Sequence, residues 1–398
     1  MQCLKKDESL EKKPSKKESK KRRKMNKKLM TEDIRMGKLD SASTKLSENF
    51  MTESADSSKQ SVAVTLKSFT VVKIIGEGAY GKVYLVKKID TGILYAMKVI
   101  RKSGISSRKD KEQVLTEKDI TQQIDSPFIV KLHFSFQSET KFFLILDFMD
   151  AGDLCYHIVH KRRIKEPLTT KISAQILLGL KCLHENNILY RDLKPMNILL
   201  DQDYRVKLTD FGLSKKDRQE DAPESRHSIC GTLQYIAPEV ALGKDYHFAI
   251  DWWSFGVILY EMISGKLPFD SNERKIIVQK IISSKIKFGR RFTPQAQDLI
   301  SKLLNTDPDE RLGTKGAEEV MEHAFFKDIN WEELATSNPV SKRQVKIPKG
   351  HFKYCYGNSA ESSVLSDKGL TKLDLSNFTF VEALSEEGSE SLSSMGSF

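Results

Sequence analysis

The stretch ILYRDLKPMNILL, from Ile188 to Leu200, constrains the fold of this chain more than any other. Its two ends read as buried β-strand, but four polar residues interrupt the apolar run: Arg191, Asp192, Lys194 and Asn197. Unpaired charge in apolar surroundings is costly, so these groups need partners there or a role in chemistry. The chain must therefore bring other polar groups, or a ligand, to this stretch.

Length and composition allow a large folded region. The chain has 398 residues, 39% of them hydrophobic, which suits one large two-lobed domain or two ordinary ones. Its five cysteines form no CxxC pair, so neither a zinc site nor a disulfide framework is indicated. No apolar run approaches the roughly 20 residues of a membrane span, and the N-terminus lacks the apolar core of a signal peptide. We expect a soluble cytoplasmic protein, with the nucleus as a second location.

The net charge of +11 is concentrated at one end of the chain. Residues 1–30 contain 13 Lys/Arg against 4 Asp/Glu. Residues 1–65 have few apolar residues and no hydrophobic period, which predicts a disordered basic N-terminal tail. Its densest part is KKRRKMNKK, residues 20–28. This segment is a solvated charge run, a nuclear-import signal, or a contact for acidic lipid or nucleic acid.

Hydrophobic patterning predicts a sheet followed by helices. Five segments have the β-branched residues and turn boundaries of strands, with one helical segment (110–124) after the third: 69–78, 81–89, 93–100, 128–137 and 141–149. After Gly152 the chain is largely helical, and segments 170–186 and 249–265 are apolar almost all round, as buried helices are. Beyond Phe326 the pattern fades into an extended tail that ends in an acidic, serine-rich stretch, which we expect to be disordered.

Residues 76–83 read GEGAYGKV, a GxGxxGxV motif. A GxGxxG alone is a weak signal, since it can open a dinucleotide-binding βαβ unit. Here a strand follows instead of a helix, and the next charged motif residue is Lys98 in YAMKV. This favours a β-hairpin whose bare backbone closes over nucleotide phosphates, because glycine permits close approach. A plain hairpin turn is the alternative.

Further motifs follow in order along the chain. Lys98 lies on the third predicted strand and Glu117 on the helix after it, and RDLKPMN, DFG at Asp210 and APE at 237–239 come later. With these motifs, residues 69–326 resemble a eukaryotic protein kinase. The resemblance implies an α+β, two-lobed fold, with a small β-sheet N-lobe carrying one main helix and a mostly helical C-lobe.

Other segments resemble one group of these kinases. RDLKP together with Gly231-Thr232 is similar to serine/threonine kinases. SICGTLQYIAPE resembles the activation segment of the AGC group, named for cyclic-nucleotide-dependent and phospholipid-dependent kinases. LSNFTF resembles the hydrophobic motif of that group, with Leu375 in place of the first Phe, so 327–398 is interpreted as its C-terminal tail. DFGLSK and FTFV are most like the ribosomal S-six-kinase and Akt-like branches.

The resemblance implies ATP and magnesium as cofactors, and it assigns roles to the polar residues of the opening stretch. Asp192 would orient the attacking hydroxyl and accept its proton, while Lys194 would stabilise charge on the transferring phosphoryl group. Asn197 and Asp210 would hold Mg²⁺. Lys98, oriented by Glu117, would bind the α- and β-phosphates.

The nucleotide site implied by the resemblance extends from the glycine-rich hairpin to the connection between the lobes. Leu146 would gate the adenine pocket, and the main chain from Asp147 to Met149 would bond adenine. The full set is Gly76, Glu77, Gly78, Ala79, Tyr80, Gly81, Val83, Ala96, Lys98, Glu117, Leu146, Asp147, Met149 and Asp153. Two further roles would be structural: a Glu239–Arg311 salt bridge, and Asp251 accepting from the backbone of the RDLKPMN loop. Tyr190 stands in place of the usual His before Arg191-Asp192.

Two phosphorylation sites are implied. A phosphate on Ser228 could pair with Arg191 and Lys215 and order the activation segment. Thr379 matches the hydrophobic-motif site, and the rings beside it would dock near the helix of Glu117. An ordinary loop serine and a simple packing contact are the alternatives. The resemblance implies that the phosphoinositide-dependent kinase is the upstream enzyme. Ser362 and Ser363 lie at roughly the spacing of a third phosphorylation site of this group, the turn motif.

The resemblance implies protein substrates that carry basic residues upstream of the phosphorylated Ser or Thr. We also expect the protein to act as a monomer. Asp153 matches the acid that reads arginine at minus three, and Glu261 one of two acids that read minus two. Met196 occupies the place of the second acid and cannot pair with guanidinium. Gln234 also stands where an acid is common. The hypothesis is a strong minus-three and a weakened minus-two preference.

Two alternatives to an active kinase belong to other function classes. The first is a pseudokinase that serves as an interaction scaffold, against which the presence of Lys98, Glu117, Asp192, Asn197 and Asp210 argues. The second is a nucleic-acid or membrane binder driven by the basic tail, which is compatible with kinase activity.

Overall fold

The computed structural model describes residues 64–78, 81–216, 230–336 and 378–381. The strands there are β1 (Phe69–Gly78), β2 (Gly81–Lys88), β3 (Leu94–Arg101), β4 (Leu132–Gln137), β5 (Lys141–Asp147), β6 (Gly152–Asp153), β7 (Ile188–Leu189), β8 (Ile198–Leu200), β9 (Val206–Leu208), β10 (Lys215–Lys216) and β11 (Phe380–Val381). The helices are α1 (Arg108–Gln123), α2 (Leu154–Lys161), α3 (Glu166–Glu185), α4 (Pro238–Ala241), α5 (Ala249–Ser264), α6 (Arg274–Ser283), α7 (Pro294–Leu303), α8 (Ala317–Met321) and α9 (Trp331–Thr336). None of these helices is long and apolar enough to span a membrane.

An antiparallel sheet forms the N-lobe, with strand order β1-β2-β3-β5-β4-β11. Successive side chains of a strand point to opposite faces, and β5 buries both of its faces. Phe143 and Ile145 pack in one cluster of the sheet, whereas Phe142 and Leu144 pack in the other, together with Val114 of α1. Because Ala96 and Ile100 belong to the cluster on the α1 side, the alternation puts Lys98 on that side as well.

Helix α1 begins at a capping box. The Ser107 hydroxyl accepts from the Asp110 amide at 3.1 Å, and the Asp110 carboxylate accepts from the Ser107 amide at 2.9 Å. These bonds satisfy amides that lack a partner inside the helix. The buried face of α1 carries Val114, Glu117 and Ile120, so the cap sets the register at which Glu117 faces the sheet.

The C-lobe is built around α3 and α5, which are buried over most of their length as their uniformly apolar sequences predict. Trp252 and Trp253 of α5 are fully buried. The guanidinium of Arg311 pairs with both carboxylate oxygens of Glu239, at 2.7 and 2.9 Å, and lies over the Trp253 ring. This buried pair ties α4 to the loop after α7.

The two-lobed α+β architecture is confirmed, with three differences in detail. β4 begins at Leu132 instead of residue 128, because the residues before it bond to β9: Leu208 donates to the Phe128 carbonyl at 2.8 Å. The prediction of an extended tail after Phe326 is wrong at α9, where the Trp331 ring packs 5.5 Å from Phe326. The tail strand β11 pairs with β4 and widens the sheet from five strands to six.

Candidate active site

A cavity of about 450 Å³ lies between the sheet and the helical lobe, a size typical of small-molecule sites. It is lined by thirteen of the residues that the sequence assigns to nucleotide, metal or phosphoryl contacts: Gly76, Glu77, Val83, Ala96, Lys98, Glu117, Leu146, Asp147, Met149, Asp153, Lys194, Asn197 and Asp210. Gly81 and Asp192 do not line it, Gly78 ends β1 opposite Gly81, and Ala79 and Tyr80 lie outside the described residues.

Sequence reasoning missed several lining residues: Ile75, Val130, Gly152, Leu199 and Thr209. Most are apolar residues of strands or strand ends, and nothing in their local pattern separates a ligand wall from ordinary core. Phe148, which also lines the cavity, lies within the main chain from Asp147 to Met149 that was assigned to adenine. Met196 also lines the cavity, and the sequence had assigned it only to substrate selection.

The glycine-rich hairpin joins β1 and β2, whose ends meet with Gly78 opposite Gly81. A Cβ on Gly81 would lie 1.8 Å from the Val99 carbonyl oxygen of β3. No side chain fits there, so Gly81 is required by the approach of two strands. Strand packing therefore explains a glycine at this position independently of the phosphate-binding role that the motif assigns to it.

Lys98 connects the sheet to α1 and to Asp210. Its Nζ atom lies 2.5 and 2.7 Å from the two oxygens of Glu117 and 3.3 Å from Oδ1 of Asp210. Burial opposes the charge on Lys98, but the Asp210 and Glu117 carboxylates outweigh it and raise the lysine pKa above its ordinary value. The nearby ammonium in turn lowers the pKa of Asp210. A cation and a carboxylate thus stay charged inside the cavity.

Asp192 lies in a network with Lys194, Asn197 and Thr232. The Lys194 ammonium is 2.6 Å from the Asp192 carboxylate and 3.2 Å from the Thr232 hydroxyl. The Asn197 amide nitrogen donates to the Asp192 carbonyl at 2.9 Å and to its carboxylate at 3.1 Å. Burial raises the pKa of Asp192 although Lys194 opposes the shift. The carboxylate is therefore more basic than an exposed aspartate and sits beside a fixed cation.

Asp251, which is 1% exposed, holds the backbone of this loop. It accepts from the amides of Tyr190 and Arg191, each at 2.9 Å, and from the His184 ring at 2.9 Å. Arg191 has φ +66° and Asp210 φ +62°, a region that costs a non-glycine residue about 1–3 kcal/mol. The buried carboxylate stabilises the first of these turns.

Tyr190 and Arg191 link this loop to the segment that contains Asp210. The Tyr190 hydroxyl donates to the Thr209 carbonyl, and its ring lies 5.3 Å from that of Phe211. The Arg191 Nε atom donates to the Leu213 carbonyl at 2.6 Å. Lys215 lies opposite Leu189 where β10 pairs with β7. These contacts bring Arg191 and Lys215 to the base of the activation segment, whose Ser228 falls outside the described residues.

At the connection between the lobes, Asp147 accepts from three partners. Its carboxylate bonds the Lys131 amide at 3.0 Å, the His133 ring at 2.8 Å and the Lys207 ammonium at 2.8 Å. Burial alone would raise the pKa of Asp147, but His133 and Lys207 reverse the shift and lower it. Sequence reasoning gave Asp147 a role through its main chain only, and it missed the ion pair.

The residues assigned to substrate selection have other bonds in this structure. The Asp153 carboxylate caps α2 by accepting from the Tyr156 amide at 2.7 Å, and burial raises its pKa. The Glu261 carboxylate accepts from the Tyr235 hydroxyl at 2.7 Å, and burial raises its pKa as well. Met196 is 51% exposed at the cavity, and Gln234 is half-buried.

The tail residues 378–381 dock on the N-lobe. The Phe378 ring is buried 4.5 Å from that of Phe142, with the Lys118 ammonium of α1 6.0 Å from its centre. The Phe378 carbonyl accepts from the Ser135 hydroxyl. Thr379 is exposed. Phe378 therefore lies beside Lys118 of α1, the residue that follows Glu117. The predicted turn-motif residues Ser362 and Ser363 lie outside the described part of the chain.

Comparison with known proteins agrees with this site. Residues 69–326 match the family model described as protein kinase domain, and the chain belongs to this family. The chain is 43% identical over 290 residues to serine/threonine-protein kinase AtPK1/AtPK6 of Arabidopsis thaliana, covering 72% of this chain and 62% of that protein. It is 42% identical over 296 residues to protein kinase 2 of Dictyostelium discoideum, covering 74% and 59%.

A human relative, ribosomal protein S6 kinase alpha-1, is 41% identical over 285 residues, covering 70% of this chain and 38% of that protein. The chain therefore spans less than two thirds of the length of these curated relatives. These relatives confirm the resemblance to the AGC group and to its ribosomal S-six-kinase branch.

Proposed function

We propose that this chain is a serine/threonine protein kinase that transfers the γ-phosphoryl group of ATP to protein hydroxyls. The observation that carries the proposal is the bonding of Lys98 to Glu117 and Asp210 in one cavity, with Lys194 and Asn197 of the Asp192 network on its wall. Phosphoryl transfer needs fixed positive charge beside the phosphates and a base beside the acceptor. Both are present in this set of residues.

The donor atoms suit a divalent metal. Asp210 offers a carboxylate that stays ionised, because Lys98 lowers its pKa. The amide nitrogen of Asn197 is engaged by Asp192, which leaves the amide oxygen as the ligand atom. Mg²⁺ favours oxygen ligands and takes one or two carboxylates together with substrate phosphates. The proposed metal is therefore Mg²⁺, which when bound neutralises charge on the phosphates.

Asp192 and Lys194 act on the acceptor. The Asp192 carboxylate receives a hydrogen bond from the substrate hydroxyl, orients its oxygen, and takes its proton as the bond to phosphorus forms and the bond to ADP breaks. Lys194 keeps positive charge beside this carboxylate and beside the transferring group. Its bond to Thr232 at 3.2 Å holds the ammonium in place.

The proposed substrates have basic residues upstream of the Ser or Thr. Asp153 and Glu261 supply two carboxylates, assigned to arginine at minus three and minus two. Because Met196 supplies no carboxylate, the minus-two preference is weaker than the minus-three preference. The Tyr235 bond to Glu261 leaves one oxygen of that carboxylate for a substrate arginine.

Regulation follows from the two assigned phosphorylation sites. Phosphate on Ser228, added by a phosphoinositide-dependent kinase, pairs with Arg191 and Lys215. Phosphate on Thr379 strengthens tail docking beside α1, which holds Glu117 toward Lys98. The enzyme works as a monomer in the cytoplasm, and the 20–28 segment directs part of it to the nucleus.

Radiolabelled phosphate transfer to a degenerate Ser/Thr peptide library tests this function. Wild type, Asp192→Asn and Ser228→Ala are compared, each with and without the phosphoinositide-dependent kinase. We expect transfer by wild type, loss in Asp192→Asn, and dependence on Ser228. A folded protein that binds ATP but transfers nothing in any form would be an interaction scaffold, and the proposal would fail.

A further inference from the structure

Three segments of the helical lobe meet beyond the proposed substrate site, and we refer to them as loops. Residues 160–166 run from the end of α2 to the start of α3, residues 264–266 include the end of α5, and residues 287–293 precede α7. The Ile164 amide donates to the Met262 carbonyl at 2.7 Å. Gly265 packs so closely on the first loop that a Cβ would lie 1.8 Å from the Arg162 carbonyl oxygen. The first two loops therefore form one continuous surface.

The third loop joins the other two through side chains. The Arg291 guanidinium donates to the Ser264 carbonyl at 3.3 Å. The Thr293 hydroxyl donates to the Glu166 carboxylate at 2.6 Å. The Tyr260 hydroxyl of α5 donates to the Lys287 carbonyl at 2.8 Å. We call the surface of these three loops the basic face.

Charge on the basic face is one-sided. Its loops carry one acid, Glu166, which Thr293 engages, and eight cations: Lys161, Arg162, Arg163, Lys165, Lys266, Lys287, Arg290 and Arg291. All eight are exposed except Arg163, which is half-buried. Within the part of the chain that the structure describes, none of the eight forms an ion pair. Residues 69–326 as a whole contain 39 Lys/Arg against 34 Asp/Glu, so eight cations beside a single acid are a local concentration of positive charge in this region.

The sign of the surface charge changes between the proposed substrate site and the basic face. Helix α2 is capped at its N-terminus by Asp153 and ends at Lys161. Helix α5 carries Glu261 one turn before Ser264, and Lys266 follows. Two elements therefore run from a carboxylate assigned to substrate arginine to an exposed cation. A ligand bound along these two elements would contact the carboxylates of Asp153 and Glu261 at one end and the cations of the basic face at the other.

We propose that the basic face docks an acidic segment of the protein substrate, upstream of the basic residues that precede the phosphorylated Ser or Thr. This inference rests on the proposed function, which assigns Asp153 and Glu261 to upstream arginines. A peptide can supply arginine to the carboxylates and glutamate to the basic face. A continuous nucleic-acid backbone would place phosphates against Glu261 and Asp153, and like charges repel. The exposed Val159 side chain beside Arg162 adds an apolar contact suited to a peptide.

The test uses the full chain and paired peptides. Both peptides carry arginine at minus three before a serine, and a flexible Gly-Ser linker upstream leads to a run of glutamate or a matched run of glutamine. Several linker lengths are compared. We expect KM for the glutamate peptide to be about tenfold lower at low salt with kcat unchanged, because several exposed pairs each add a small contribution. The difference should shrink as ionic strength rises.

A charge-reversal variant locates the effect. Arg162→Glu, Lys266→Glu and Arg290→Glu are combined, since these side chains are exposed and make no ion pair among the described residues. This variant should lose the glutamate advantage and keep its activity on the glutamine peptide. The matched control combines Lys67→Glu, Lys315→Glu and Lys327→Glu, three exposed cations elsewhere, and should keep the advantage.

Two results overturn the proposal: wild type treats both peptides alike at every linker length, or the control variant loses the advantage equally. Tighter binding of a single-stranded oligonucleotide, or of phosphatidylserine vesicles, that the charge-reversal variant loses would assign the face to that partner instead. Phosphorylation of the glutamine peptide reports on the proposed function separately. If that transfer is absent, fluorescence anisotropy of a labelled glutamate peptide still measures docking.

Discussion

The Nζ atom of Lys207 lies 2.8 Å from Oδ2 of Asp147, and the lysine is buried. Lys207 belongs to β9, which leads to Asp210, whereas Asp147 ends β5. The other carboxylate oxygen of Asp147 is 2.8 Å from the His133 ring of β4. The Asp147 carboxylate therefore links three parts of the molecule. These are β4 of the sheet, the connection between the lobes that is assigned to adenine, and β9, the strand that precedes the proposed metal ligand Asp210.

Removing one partner of this pair should damage both stability and nucleotide binding. Lys207→Met leaves a buried carboxylate without its cation, which typically costs about 3–5 kcal/mol. We expect a lower midpoint in urea unfolding, and a rise in the KM for ATP larger than the fall in kcat. Asp150→Asn is the matched control, because Asp150 lies near the same connection but accepts from the Gln202 amide at the surface. Equal effects of the two substitutions would contradict a special role for the buried pair.

The Lys98–Glu117 pair should act as one unit. Lys98→Met and Glu117→Gln should each lower kcat/KM about a hundredfold or more, since each removes charge positioned for the transition state. The double variant should lose little beyond the worse single variant, because residues in one network are not additive. Transfer rates are measured alongside ATP binding by calorimetry. Fully additive losses would show that the two side chains act independently.

The pH dependence of transfer should report on Asp192. Burial raises its pKa, so the protonated, inactive carboxyl persists to a higher pH than it does for an exposed aspartate. We expect kcat/KM to fall on the acid side with a midpoint above the usual aspartate value. Lys194 opposes the shift, so Lys194→Met should move this midpoint further upward. A pH–rate profile of both proteins checks the direction, and an unchanged or lower midpoint in the variant would contradict the assignment.

Local patterns predicted much of this architecture because each strand and helix carries its own signal. The continuous apolar run of β5 buries both of its faces, and the motifs around Asp192 and Asp210 kept their order. The partners of Asp147 left no such signal, since Lys131, His133 and Lys207 belong to separate segments that only the tertiary fold brings together.

Gly81 and the tail strand β11 also have contacts that their local sequence did not predict. Gly81 was assigned to phosphate binding from its motif, whereas the structure adds a packing reason, because a Cβ there would collide with the Val99 carbonyl oxygen of another strand. Docking of the Phe378 ring was expected from the aromatic pair in FTF, but the pairing of β11 with β4 was not. A two-residue strand carries too little pattern to be predicted, and it forms because Ser135 and Phe134 present a free sheet edge to Phe380 and Val381.

Restoring a carboxylate at the substrate site should change specificity. Met196→Glu adds a second acid where Glu261 is the one assigned to arginine at minus two. We expect a peptide array to show a minus-two arginine preference about tenfold stronger in the variant, with the minus-three preference unchanged. Met196→Gln is the control, because it adds polarity and no charge. Equal demand for both arginines in the wild type would refute the hypothesis of a weakened minus-two site.

Packing of the Phe378 ring should influence α1 even in unphosphorylated protein. Burial of its ring against Phe142 stabilises the docked tail, and Phe→Ala at buried sites commonly costs about 3–5 kcal/mol. Phe378→Ala should therefore release the tail, raise hydrogen exchange in α1, and lower kcat as Glu117 moves more freely relative to Lys98. Phe380→Ala removes a half-buried ring and should do less. In unphosphorylated protein Thr379→Val should leave docking intact, because the Thr379 side chain is exposed. Unchanged exchange in α1 after loss of Phe378 would separate the tail from the Lys98–Glu117 pair.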